Sequence, residues 1–175
     1  MNGAIIWLTG LSGAGKSTIA EALTNDLRAA GNWVCLLDGD AVRTGLNRDL
    51  GFSEADRTEN VRRIAAVAAL VAASGGVAVV PVIAPRRAMR AAARIAAGTI
   101  PFTEVHVATS LAVCEARDTK GLYRKARAGL LKGFTGIDDP YEDPETPEVR
   151  IDTAVTPVAD AVEMIKAAVA ARRPA

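Results

Sequence analysis

The sequence predicts an α/β fold: a mainly parallel sheet with helices on both faces, in three layers. Three observations carry this. Apolar runs alternate with helical patterns from end to end. The runs are continuously apolar, as strands covered on both faces must be. A glycine-rich turn of the kind that holds phosphate joins the first run to the first helix.

The elements follow in order. Residues Ala4 to Thr9 read as a buried strand, and Ser17 to Ala30 as a helix closed by Gly31. Val34 to Leu37 is a second strand, ending at Asp38-Gly39-Asp40. Ser53, with Asp56 three residues on, caps a long helix reaching Ser74 and Gly75-Gly76. Val77 to Ile83 is a third strand, in which Pro81 predicts an irregularity or an edge. Arg86 to Ala97 is helical, Phe102 to Ala108 a strand, and Ser110 to Arg117 a short helix. Thr156 and Pro157 serve as N-cap and first-turn proline of a last helix running to about Arg172. Residues 118–149 break the pattern, with four glycines, three prolines, a basic first half and an acidic second half. So long a stretch without apolar periodicity is a functional lid or a linker, and the chain that follows it favours a mobile lid.

Composition sets the outer limits. At 175 residues, half of them apolar, residues 1–175 fit one compact domain. With 21 basic and 20 acidic residues, the net charge of +1 gives no global field for nucleic acid or a membrane surface. The longest apolar run, Ile64 to Ala73, is half of the roughly 20 residues a bilayer needs. No basic region precedes the first apolar stretch, so no signal peptide is read. Cys35 and Cys114 lie far apart, without metal spacing, as buried thiols of a cytoplasmic protein would. His106, inside a strand, reads as structural.

Gly10-Leu11-Ser12-Gly13-Ala14-Gly15-Lys16-Ser17 matches G-x-x-x-x-G-K-[ST], with a strand before it and a helix after it. Glycines let backbone N–H groups turn inward and approach phosphate oxygens. Lys16 would neutralise the β- and γ-phosphates, and the Ser17 hydroxyl would bind Mg²⁺. The guanine motif N-K-x-D is absent, which removes the GTPase reading. The run Val34 to Asp38 is apolar and then acidic, as in ATPase motors, but it comes early in a small chain. A small-molecule kinase fits better.

Asp38 and Asp40 close the second strand, where open α/β sheets place ligands. One could reach Mg²⁺ through water while the other takes a proton from an attacking hydroxyl. At helical spacing Arg57, Asn60, Val61, Ile64, Ala68 and Val71 share a face, so an apolar stripe opens with two polar residues. Those two either find protein partners or line an anion site. Arg62 and Arg63 point elsewhere, toward solvent. Phe52 and Phe134, beside glycines in irregular segments, read equally as core or as plates for a base.

The segments W-L-T-G-L-S-G-A-G-K-S-T (7–18), L-D-G-D (37–40), D-L-G-F-S-E-A-D-R-T-E-N-V-R-R (49–63), K-G-L-Y-R-K-A-R-A-G (120–129) and K-G-F-T-G-I-D-D-P-Y-E (132–142) resemble adenylyl-sulfate kinases, in order and over almost the whole chain. The resemblance implies a P-loop nucleoside-triphosphatase fold and phosphoryl transfer from MgATP to the 3′-hydroxyl of adenosine 5′-phosphosulfate, in sulfate assimilation. It places ATP on Gly10, Gly13, Ala14, Gly15, Lys16, Ser17 and Thr18, with Arg117 against the adenine. Asp40 and Lys16 become the catalytic pair, and Ser17 with Asp38 the metal side. Arg43, Arg57 and Asn60 would hold phosphosulfate and ribose, and Phe52 and Phe134 would sandwich the acceptor adenine. Ile83, Ala84 and Gly133 join that site, with Lys120 and the lid closing over both nucleotides. Small nucleotides are the expected partners, with a homodimer and a functional link to an ATP sulfurylase. Two departures stand out. Ala84 replaces the family's serine, leaving no oxygen to phosphorylate, and Ala41 replaces an asparagine. The alternatives are another small-metabolite P-loop kinase, such as a gluconate or shikimate kinase, which would lack F-S-E-A-D-R-T-E-N, and a non-catalytic sulfonucleotide-binding module, which should have lost Lys16 or Asp40.

Overall fold

A computed structural model describes residues 3–172. The leader reading at Met1 and Asn2 and the last three residues of the domain reading lie outside it. Five parallel strands form the sheet among these residues, in the order β2-β3-β1-β4-β5. They are β1 (Ala4–Thr9), β2 (Val34–Leu36), β3 (Val77–Pro81), β4 (Phe102–Val107) and β5 (Val149–Ile151). Helices α1 (Lys16–Ala29) and α7 (Val158–Ala171) cover one face; α3 (Glu54–Ala73) and α4 (Arg87–Ala97) cover the other. Short helices α2 (Gly39–Thr44), α5 (Leu111–Arg117) and α6 (Leu122–Arg127) follow strands or loops.

Two apolar cores explain the unbroken apolar strands. On β1, Ile6 and Leu8 pack with α1 and α7, while Ile5 and Trp7 pack with α3 and α4. Alternate side chains go to opposite faces, so both must be apolar.

Most expected elements are present, and the departures have physical reasons. The third strand ends at Pro81, and it lies inside the sheet rather than at an edge. Val82 N–H donates to Leu8 O, so the N–H side of Pro81 faces β2. There β2 has already turned away after Leu37 N–H reaches Val79 O, and no donor is needed. Ser53 caps α3 as expected, its Oγ accepting from Asp56 N–H at 3.1 Å. The buried stripe of α3 runs Asn60, Val61, Ile64, Ala65, Ala68 and Ala72, with the expected Val71 only half-buried. Arg63 is not a solvated charge: it donates to Asp49 and Glu59, tying α3 to the segment before it. The expected cap at Thr156 is not made; Pro157 takes that position, and the Thr156 N–H donates to Asp152 O.

The segment 118–149 is more ordered than its composition suggests. Its basic half forms α6, and its end begins β5. Between them a tight turn runs from Gly133 to Asp139. The Asp138 carboxylate accepts from the N–H groups of Gly133 and Phe134, at 2.8 and 2.6 Å. No helix among the described residues is long and apolar enough to cross a membrane.

Candidate active site

At the carboxyl ends of β1, β2 and β3, a cavity of about 700 Å³ opens between the glycine-rich loop, α2, the start of α3 and the 118–135 segment. One half is built of backbone. Five successive carbonyls of the loop are each engaged by a side-chain donor. Lys16 Nζ donates to Gly10 O at 2.9 Å and Leu11 O at 2.7 Å. Tyr123 Oη donates to Ser12 O at 2.8 Å, and Arg117 to Gly13 O at 3.4 Å. Thr109 and Thr153 hydroxyls both donate to Ala14 O. With the carbonyls thus engaged, the N–H groups of Gly13, Gly15 and Lys16 keep no protein partner among the described residues. That is a nest for an anion, at the start of a helix.

The glycines permit this path. A Cβ on Gly10 would stand 2.4 Å from Val107 O, and Gly15 sits at φ +102, which an L side chain resists. Burial lowers the Lys16 ammonium to about 8 from 10.5, so it keeps its charge at neutral pH. Ser17 Oγ donates to Asp38 Oδ2 at 3.0 Å. The other Asp38 oxygen caps α2, accepting from Asp40 N–H at 2.9 Å and Ala41 N–H at 3.4 Å. A hydroxyl and a carboxylate side by side are hard oxygen donors, suited to a divalent cation that takes its remaining ligands from phosphate and water. No group of three or more His, Cys, Asp or Glu side chains that could hold a metal alone occurs among the described residues.

The other half is built of side chains. Asp40 is ion-paired with Lys120 of the 118–149 segment. Arg43 donates to Gly51 O at 2.9 Å, and its guanidinium lies 4.4 Å from the Phe52 ring centre. Phe52 is 69% exposed, so it is no core residue, whereas Phe134 is 8% exposed and sits edge-on to Tyr123 at 5.0 Å. Arg57 donates to Phe52 O, to Thr135 Oγ1 at 3.0 Å and to Gly133 O. Asn60 accepts from Asn47 Nδ2 at 3.0 Å. The polar mouth of α3 therefore has protein partners and also borders the cavity.

Most of the expected site residues line this one cavity, including Lys16, Ser17, Asp38, Asp40, Arg43, Phe52, Arg57, Asn60, Ile83, Ala84, Arg117, Lys120 and Phe134. Gly10, Ala14 and Gly133 do not: they act from behind, their carbonyls accepting from Lys16, Thr109 and Thr153, and Arg57. The residues the sequence did not announce are Thr153, Thr109, Asn47 and Thr135. They are lone polar side chains, and only the packing reveals them. His106 is buried and neutral: burial lowers it to about 4, with Arg150 against Nδ1 at 3.1 Å, and it lies outside the cavity.

The comparisons with known proteins converge. The family profile described as Adenylylsulphate kinase matches residues 2–152. The adenylyl-sulfate kinase of Citrobacter koseri is 57% identical over 150 residues, 86% of this chain and 75% of its own length. The structure of the Mycobacterium tuberculosis APS kinase CysC in complex with AMPPNP and APS superposes with a TM-score of 0.93 at 45% identity, over 97% of this chain and 98% of that one. The hexameric APS kinase from Thiobacillus denitrificans gives a TM-score of 0.74 at 39% identity, over 97% of this chain and 29% of that one.

Proposed function

The chain belongs to the adenylylsulphate kinase family, and from that premise we propose which of its residues carry the reaction. The activity is phosphorylation by ATP of the 3′-hydroxyl of adenosine 5′-phosphosulfate, giving ADP and 3′-phosphoadenylyl sulfate. An O–P bond forms between the 3′-oxygen and the γ-phosphorus, the bridge to the β-phosphate breaks, and the hydroxyl proton must leave.

Gly13, Gly15, Lys16, Ser17 and Thr18 hold the donor phosphates, with Gly10 and Ala14 shaping the loop and Arg117 beside the donor adenine. Asp40 takes the proton of the 3′-hydroxyl. Its exposure and its place in the cavity that Lys16 also lines support this. The chemistry then needs positioning and charge stabilisation alone. Ser17 and Asp38 would hold Mg²⁺, which when bound neutralises charge on the β- and γ-phosphates. Arg43, Arg57 and Asn60 hold the phosphosulfate and ribose. Phe52 and Phe134 flank the acceptor adenine, with Ile83, Ala84 and Gly133 beside them.

We read residues 1–175 as one kinase domain and 118–149 as its lid, closed through Lys120 and Asp40. The partners are small nucleotides, without nucleic acid or membrane. A homodimer and a functional link to an ATP sulfurylase, which would supply the acceptor, complete the reading. Free Cys35 and Cys114 support a cytoplasmic setting.

The observation that carries these roles is the meeting of an anion nest and a cation-lined aromatic wall in one cavity. A coupled assay of ADP release tests it, comparing adenosine 5′-phosphosulfate with gluconate, shikimate and AMP. Turnover confined to the sulfonucleotide is expected, and faster turnover of any other acceptor would overturn it. Retention of both Lys16 and Asp40 speaks against a non-catalytic binding module.

A further inference from the structure

Three consecutive carbonyls beside the acceptor half of the cavity are gripped from behind. Thr9 Oγ1 donates to Ile83 O, Arg90 Nη1 donates to Ala84 O at 2.7 Å, and the Glu142 N–H donates to Pro85 O at 2.8 Å. The hydroxyl of Thr9 has one proton and gives it to Ile83, so Tyr141 Oη is the donor in its 2.9 Å contact with Thr9.

The geometry has a consequence for one N–H group. No peptide bond among the described residues is cis, and in a trans peptide the N–H points opposite to the C=O. Holding Ile83 O inward therefore turns the Ala84 N–H away from Thr9, on a residue that lines the cavity. That N–H has no partner among the described residues. Pro85, next in the chain, offers no donor.

Ala84 also sits at φ +42, a left-handed conformation that a non-glycine residue keeps only under constraint. Arg90 supplies the constraint. It is 3% exposed, its Nε pairs with Glu104 at 2.9 Å, and its Nη2 donates to Glu142 O. Its guanidinium lies 5.5 Å from the Tyr141 ring centre, so the two supports brace each other. A fork that donates along three fixed directions sets the place of each group it grips.

We propose that Arg90 is a positioning residue of the acceptor site: with Tyr141 and Thr9, it holds the 83–85 turn so that the Ala84 N–H donates to a lone-pair atom of the acceptor nucleotide. This rests on the reading of that half of the cavity as the acceptor site. Because the grip works through backbone, Ala84 can fill the role without a side-chain oxygen.

The test pairs two variants with a control. Arg90→Gln combined with Glu104→Gln removes the fork without leaving a lone buried charge. Tyr141→Phe removes one hydroxyl and keeps the ring. Phe52→Ala tests the acceptor reading itself. Steady-state constants for both substrates are measured with the melting temperature, well below which all assays are run. The double variant should raise the acceptor KM by about tenfold while the ATP KM moves less than about twofold. Tyr141→Phe should raise the acceptor KM by about threefold. If Phe52→Ala weakens the acceptor and the folded support variants do not, the positioning role is wrong and the acceptor reading stands. If none of the three weakens the acceptor, the acceptor reading fails and the inference fails with it. A loss shared equally by both substrates would make Arg90 merely structural, which also overturns the proposal. Should the double variant not fold, Tyr141→Phe decides alone.

Discussion

The glycine-rich loop and the wall opposite it share a cavity but obtain their order differently. In the loop, carbonyls 10–14 are each held by a donor, and the groups left without a protein partner among the described residues are backbone N–H. In the wall the cavity is lined largely by side chains from α2, α3 and residues 134–135, drawn together by arginines, with the 83–85 turn beside them. Arg57 alone joins residues 78 apart. A backbone nest loses little when one distant side chain changes. A wall built by guanidinium forks depends on each fork, and it changes affinity and local order together.

The largest effect should come from Lys16, which grips the loop carbonyls and, in the proposed reading, meets the reacting phosphate. Lys16→Met should lower turnover by about 10³-fold, the upper range for removing one transition-state donor. Acceptor binding measured without ATP should hold. Lys16 at about 8 adds a pH signature with a definite sign. As pH rises through 8 the free protein loses this charge, and phosphate binding must restore it. Nucleotide binding should therefore take up a proton above pH 8 in the parent, seen by titration calorimetry in buffers of different ionisation enthalpy. Lys16→Arg should take up none.

Asp40 comes next and belongs to the wall. Asp40→Asn keeps the shape and removes the proton acceptor, so turnover should fall by about 10²-fold or more with ATP affinity hardly changed. A variant that turns over like the parent would take Asp40 out of the chemistry and leave Lys120 as the partner of a surface charge.

The two phenylalanines test whether the wall has one mode of construction or two. Phe52 is 69% exposed and steadied by Arg43, while Phe134 is buried and its backbone is fixed by Asp138. Phe52→Ala should cost about 1–3 kcal/mol of acceptor affinity, the range for a stacked base, with no change in melting temperature. Phe134→Ala should lose acceptor affinity and also about 3–5 kcal/mol of stability, the range for emptying a core phenylalanine. Equal melting behaviour of the two variants would contradict their difference in burial.

The contrast also explains what could be read from the sequence. The nest is an eight-residue local pattern, and its strand and helix are long and periodic, so both were legible. The cap at Ser53 was legible for the same reason. Three short elements were not, although the three-residue β2 was read from its apolar run: α2 and α6 have six residues each, and β5 has three, with Arg150 exposed between Val149 and Ile151. No periodicity develops over such lengths. Arg57 and Asn60 stood out as polar residues on an apolar stripe, yet their partners Thr135, Gly133 and Asn47 are set by folding alone. Phe52 and Phe134 looked alike in sequence because each stands beside a glycine, and only packing separates them.

The smallest effect on catalysis should come from beneath the wall, where His106 titrates. It is buried on β4, stacks on Tyr141 with ring centres 5.9 Å apart, and faces Arg150 and Asp143. Burial is the main cause that lowers it to about 4 from 6.5, the nearby Asp143 opposing and Arg150 and Arg90 assisting. Between those values the unfolded chain binds the proton and the folded chain does not. Stability must therefore fall as pH drops from 6.5 to 4, by at most about 3 kcal/mol. Tyr141 links this loss to the support of Ile83, while the side chains that hold carbonyls 10–14 form no hydrogen bond, ion pair or ring contact with His106 among the described residues. Denaturant unfolding of the parent between pH 4 and 7 should show the slope, and His106→Gln should flatten it with turnover at pH 7.5 unchanged. Hydrogen exchange at pH 5 gives the sharper reading. The 83–85 turn and 139–143 should lose protection before residues 10–17 do, and the reverse order would mean that the wall and the nest share one support.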